Sequence, residues 1–176
     1  MAIDDDYLYY AADVIDDDYY FGEGNWYEQD AMQLFIGLYD WRGPKHNSIK
    51  RGDEPDYILY SNENTLQLDN PGGVSIGNSD EEHYYFEGFD PDYVVEGKIS
   101  LDTLAVLSGD PRFHPMNGMR IPIDIYFHDN DNGTFEGRVG YSTLATDQQW
   151  NNPEEWSFTW ICDQSTVLGN DNEAPI

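Results

Sequence analysis

Residues 120–140 read RIPIDIYFHDNDNGTFEGRVG. Ile121, Ile123, Ile125 and Phe127 fall on every second position, the period of a strand with one face in a core. Asn132-Gly133 then supplies a residue pair that takes positive φ readily, which predicts a tight hairpin into GRVG. A long hairpin of this kind points to an antiparallel all-β protein.

The stretches on either side agree. YLYYAADVI (7–15) is rich in Tyr and β-branched residues and lies between Asp triplets. AMQLFIGLY (31–39) alternates Met32, Leu34 and Ile36 against Gln33, Phe35 and Gly37. DYILYS, TLQLD and GVSIG read as three short strands, and HYYFEGF and YVVEGKIS as a pair joined by DPD. GRVGYS and WSFTWIC complete about ten strands at the spacing of a sandwich or barrel. The best helix signal is LDTLAVL (101–107), with Ser100 or Asp102 as its cap. The fold expected is an antiparallel β-sandwich with jelly-roll character and one short helix, occupying 1–176 as one domain. The tail GNDNEAPI reads as an exit into a linker or a following domain.

The chain has 176 residues, with 35 acids against 8 bases and a net charge of −27. Phosphate backbones and anionic membrane surfaces would be repelled, so nucleic acid is excluded as a natural partner. Cations and neutral polar ligands fit instead, and so does a solvated coat for an extracellular setting. No run reaches the ~20 apolar residues of a membrane span. No basic-then-apolar leader opens the sequence, so secretion would need a signal outside these residues. Cys162, the one cysteine, cannot form an internal disulfide and is expected to be buried in its apolar run, as are Trp156 and Trp160.

Three constellations carry possible chemistry. GNWYEQD (24–30) and QQWNNPEEW (148–156) place Trp26, Tyr27 and Trp150 in polar loops beside acids and amides. An indole or phenol ring can stack on the apolar face of a sugar whose hydroxyls pair with carboxylates; equally, each ring can pack under its own loop. In HDNDNGTFEG, Asp129, Asp131 and Glu136 surround a Gly turn and offer hard oxygen donors suited to calcium, or a hairpin with solvated acids. GVSIG matches the G-x-S-x-G nucleophile pattern, but its flanks signal β-turns rather than the strand-to-helix elbow the chemistry needs. With 35 acids, paired carboxylates arise by chance and argue for no glycosidase; no enzyme is expected.

In order, LYYAADVID, NWYEQDAMQLFIG, YVVEGKISLDTL, IPIDIYFHDND, GRVGYS and a Trp-Asn-x-Pro loop resemble the family 9 carbohydrate-binding modules and their DOMON-like relatives. The resemblance implies a β-sandwich that grips a glycan between two loop aromatics, with structural calcium. Trp26 or Tyr27 would be one jaw and Trp150 the other, with Asp16 as an acid contact. Tyr57 and Tyr126 stand where such modules place polar floor residues. Members usually have one or two strands before the LY strand, so either another domain or copy completes the sheet by strand addition, or the N-terminus takes a different topology that needs no donor. Two alternatives remain: a structural or adhesive domain of a surface layer or filament without sugar binding, and a haem-binding DOMON-like domain using methionine and histidine ligands.

Overall fold

The computed structural model describes residues 1–21, 25, 28–38, 50–51, 54–70, 74–78, 83–89, 92–144, 146–150 and 152–162. The strands are β1 Ala2–Ile3, β2 Tyr7–Val14, β3 Ala31–Gly37, β4 Lys50–Arg51, β5 Glu54–Ser61, β6 Thr65–Asn70, β7 Val74–Asn78, β8 Tyr84–Gly88, β9 Tyr93–Ser100, β10 Arg120–Asp131, β11 Thr134–Gly140 and β12 Ser157–Trp160. They form two antiparallel sheets. The small one runs β1-β2-β9-β8, and the large one runs β11-β10-β3-β5-β6-β7, with β12 added to β10 and β4 to β5.

The sheets close on one apolar core, which makes the molecule a sandwich. Leu8, Tyr10, Tyr84, Tyr93, Val95 and Ile99 enter it from the small sheet. Met32, Leu34, Ile36, Leu59, Ile121 and Ile123 enter from the large one. The alternation read from residues 121–127 is therefore real: the odd positions of β10 face inward. Asn132 and Gly133 turn the chain at φ 52 and 80, so Asp131 pairs with Thr134 across a two-residue loop. The VSIG of this motif, Val74–Gly77, lies on β7, which pairs antiparallel with β6, so Ser75 sits within a strand and not on a strand-to-helix elbow.

The predicted helix is α1, Leu101–Ser108. Ser100 caps it by accepting the Thr103 N–H at 3.2 Å. Gly109, at φ 71, ends it and donates its N–H to the Ala105 carbonyl. Leu101 and Leu104 bury the helix against the core.

Two expectations fail at the C-terminal edge. Trp160 is 58% exposed and Cys162 is exposed, although their apolar run predicts both inside. The cause is the shortness of β12. Its last residue pairs with Arg120, the first residue of β10, so Trp160 and Cys162 stand at the end of the sheet. Trp156, just before β12, is fully buried as expected.

The strand β3 departs in another way. Every residue from Ala31 to Leu38 is buried, so Gln33 and Phe35 on its outer side are covered too. A second, smaller cluster of Phe35, Ile58, Tyr126 and Trp156 forms on that outer face. The outer side of the large sheet is thus a built surface.

Candidate functional site

Along β10 the outward side chains are Asp124, Tyr126, His128 and Asn130, all buried. Gln33 and Phe35 of β3 and Ile58 and Tyr60 of β5 continue the same face. His128 Nε2 lies 3.3 Å from Gln33 Oε1, and the Tyr126 ring meets Phe35 edge-on at 5.4 Å. A polar row on a sheet would ordinarily face water; here it serves as an anchoring line for two loops.

The first loop follows β11. Asp124 Oδ1 accepts the Ser142 N–H at 2.8 Å and its neighbour Ile125 N–H at 2.9 Å. Farther along, the Ser142 hydroxyl donates to the Glu155 carbonyl at 2.6 Å, and Trp156 Nε1 donates to the Gln149 carbonyl at 2.9 Å. Thr146 and Asn152 both donate to the Glu155 carboxylate, and Arg138 pairs with Asp147 at 2.7 Å. Trp150 rides on this cross-braced loop with 53% of its surface exposed.

Burial pushes the Asp124 carboxyl above its ordinary range, against the pull of the backbone N–H groups it accepts. The Gln149 amide, fully buried, stands near enough to favour the ionised form, yet neither of its polar atoms nor Asp124 Oδ2 makes a well-formed hydrogen bond.

The second anchor is at the other end of the strand. Asn130 donates its side-chain amide to the Glu28 carbonyl and its backbone N–H to Asp30 Oδ1 at 3.2 Å. Glu28 and Asn25 close on each other through Glu28 N–H to Asn25 O at 2.9 Å and Asn25 Nδ2 to Glu28 Oε2 at 3.0 Å. Trp26 and Tyr27, between them, lie outside the described residues. The two anchors are six residues apart on one strand, roughly 20 Å at the usual rise.

Beyond Asn130 an acidic cluster closes the end of the sandwich. Oxygens of Asp16, Asp129 and Asp131 all lie within 4.8 Å of one another. Asp16 leaves β2 and accepts the N–H groups of Asp17 and Asp18 on one oxygen, while its own N–H donates to Asp92. Burial raises the Asp131 carboxyl, and Glu136, Asp129, Asp16 and Asp18 add to the rise; Asp131 Oδ1 is buried without a hydrogen bond. Behind it, burial carries Asp30 up to about 7, against the N–H of Tyr20 and with the push of Asp16. Carboxylate oxygens this close repel one another unless a cation joins them, so the donor set fits calcium.

The sequence-derived residues are thereby sorted. Asp16 lies with Asp129 and Asp131 at the end of the sandwich. Glu136 is exposed on β11 and acts on Asp131 only through its charge. Tyr57 points the wrong way for a surface floor: in β5 it shares the inner phase with Leu59, is 1% exposed, and donates its hydroxyl to the Leu104 carbonyl at 3.2 Å. Tyr126 is on the outer face but sealed, with Phe35 at its edge and the Arg138 guanidinium 5.9 Å from its centroid. Met32 and His128 occupy opposite faces of the large sheet, so they cannot ligate one haem between them. Sequence reasoning misses Asp124 and Asp30, and the anchoring role of Asn130. The available signal is their place beside the turn and in the middle of an apolar strand, where a polar side chain must find a buried partner.

Comparison with known proteins places these observations. The profile of the family described as "Carbohydrate family 9 binding domain-like" matches residues 1–159. No match arises among curated protein sequences. Among solved structures, a family 9 carbohydrate-binding module from Caldicellulosiruptor kristjanssonii in complex with cellotriose superposes with a TM-score of 0.69 at 19% identity, over 99% of this chain and 76% of that one. A family 9 module of the same organism in complex with glucose gives 0.67 at 20% identity, over 97% and 77%.

Proposed function

The chain belongs to the carbohydrate family 9 binding domain-like family, and from that premise we propose that it is a non-catalytic module holding a neutral saccharide on the outer side of its large sheet. Trp150 carries the reading: an indole more than half exposed, on a loop braced by hydrogen bonds and tied to Asp124 beneath it. Exposing an indole is costly unless an apolar surface covers it, and the C–H face of a sugar ring is such a surface. Trp26 and Tyr27, between the anchored Asn25 and Glu28, are assigned the opposing contact. Glu154, near Trp150 and exposed, offers a carboxylate for hydroxyl groups. Tyr126, next to the Asp147 backbone, supports the Trp150 loop from below.

Asp16, Asp129 and Asp131 are assigned to a structural calcium, which would tie the end of β2 to the end of β10. The bound ion would neutralise the self-repulsion of the cluster; the protein's part is to hold the oxygens in place. Beyond Tyr9, the outer edge of β2 pairs with no further strand among the described residues, which leaves room for a strand from another domain or copy. Among the described residues no helix is long and apolar enough to cross a membrane. The acidic surface and the ligand class fit an extracellular site of action.

The test is calorimetric titration with cello-oligosaccharides, suggested by the ligands of the two solved neighbours, and with xylo- and manno-oligosaccharides. Saturable binding by the native chain and its loss in Trp150→Ala support the proposal. Equal affinity in both proteins would refute the assignment of Trp150.

A further inference from the structure

We propose that the outer face of the small sheet carries a second site for a neutral saccharide, separate from the loop that bears Trp150. A groove of about 220 Å³ lies there, lined by Tyr9, His83, Tyr85, Glu96 and Lys98 over the backbone of Gly97.

The register builds it. Tyr9 pairs with Lys98, and Ala11 pairs with Glu96, which pairs on its other side with Tyr85. One row across the sheet is therefore Tyr9–Lys98, continued by His83, whose carbonyl accepts the Lys98 N–H at 3.0 Å. The next row is Ala11–Glu96–Tyr85. Tyr9 and Tyr85 thus stand diagonally across the central strand, with Lys98 and Glu96 between them. The floor is bare backbone at Gly97, and it is rigid because Tyr10 packs against it from the core. A Cβ on Gly97 would come within 2.3 Å of the Tyr10 ring.

The rings are held before any ligand arrives. Tyr9 donates its hydroxyl to Asp4 at 2.8 Å, and Tyr85 donates its own to Glu87. Tyr7 stands 6.0 Å from Tyr9 and 6.2 Å from His83, which extends the aromatic strip. Tyr85 is nonetheless 41% exposed. Fixed, half-exposed phenol rings lose little entropy when something stacks on them.

Charge selects the occupant. The Lys98 ammonium already sits over the Tyr7 ring at 4.8 Å, so a cationic ligand meets both an occupied ring face and a like charge. Asp4, Glu87 and Glu96 surround the groove, so an anion is repelled. What remains is a neutral, polyhydroxylated ligand with flat C–H faces, for which Glu96 accepts and Lys98 donates. The groove is on the opposite side of the sandwich from Trp150, so its occupancy does not depend on that loop.

Backbone amide shifts of the full chain, followed by NMR during titration with cellohexaose, xylohexaose and mannohexaose to about 10 mM, test the site over the range where millimolar affinities register. At least one hexasaccharide is expected to shift the amides of Tyr85, Gly97 and Lys98 saturably. Trp150→Ala should leave those shifts in place, while Tyr85→Ala and, with less risk to the fold, Glu96→Ala should each weaken them at least about tenfold, the scale of one lost contact of 1.4 kcal/mol. Shifts confined to residues around Trp150, or no shift at Gly97 with any of the three sugars, overturn the second site and leave the first as it stands. Loss of Gly97 shifts in Trp150→Ala overturns it as well, since the two would then be one site.

Discussion

The Ser142 N–H donates to Asp124 Oδ1 at 2.8 Å, joining the loop of Trp150 to the middle of β10. Replacing Asp124 with Ala removes the acceptor for two backbone N–H groups at once. Leaving buried donors unmet costs about 1–3 kcal/mol each, so the variant should unfold at clearly lower denaturant and bind sugar more weakly. Asp124→Asn keeps Oδ1 and should restore both. Equal affinity in the Ala variant at full folding would show that the tether does not position the loop.

The same carboxyl sets a pH dependence. Burial raises Asp124, and it carries Asp30 up to about 7. A carboxyl whose folded pKa exceeds its unfolded one binds more protons when folded, so stability falls as pH rises through the interval. For Asp30 that interval opens at the ordinary value of about 4 and closes at about 7. Chelator-treated protein should therefore melt at a lower temperature near neutrality than in mild acid. Asp124→Asn places an amide where Oδ2 has no partner and should flatten part of the slope, read from Tm against pH.

Trp150→Ala is expected to separate binding from stability. The indole is more than half exposed, so its removal should shift Tm very little. Aromatic anchors at binding sites cost about 2 kcal/mol or more when truncated, a loss of roughly thirtyfold in affinity. Calorimetry and thermal melts on the same preparation check both halves.

Calcium should stabilise the chain through Asp16, Asp129 and Asp131. At a free ion concentration a hundred times Kd, the gain is about 2.7 kcal/mol, visible as a rise in Tm. Asp131→Asn should lose most of that rise, while Glu136→Gln, outside the trio, should keep most of it. A rise of equal size in Asp131→Asn would place the ion elsewhere.

Gly97→Ala tests the packing behind the small sheet. The added methyl would collide with the Tyr10 ring, which is itself fixed in the core. Overpacking of this kind costs about 1–3 kcal/mol, measurable by chemical denaturation. Gly109→Ala meets no neighbouring atom and is opposed only by its φ of 71, so any loss there has a backbone origin.

Much of the fold was legible because period-two alternation survives where only one face is buried. Ile121, Ile123, Ile125 and Phe127 declared the core side of β10, and Asn132-Gly133 declared its turn. Ser100 announced α1 through a local capping bond. What the sequence withheld depends on the opposite face. Nothing in Gln33, Phe35, Tyr126 or His128 says that the outer side of a sheet will be covered, since the covering residues come from a loop far along the chain. Tyr57 was misplaced by one strand phase, which exchanges core for surface. Asp16 was separated from Asp129 because the two meet only after the sheets have closed.

β10 pairs with β3, β11 and β12, and β3 precedes it by about half the chain. Contacts between such distant segments form slowly, because a long stretch must be closed before the first pairing rewards it. Both loop anchors are side chains of this one strand, so neither loop can settle until it docks. On refolding from denaturant, the capacity to retain ligand should therefore appear late, in step with the slowest phase seen by the buried Trp156, and a partly folded chain should have none.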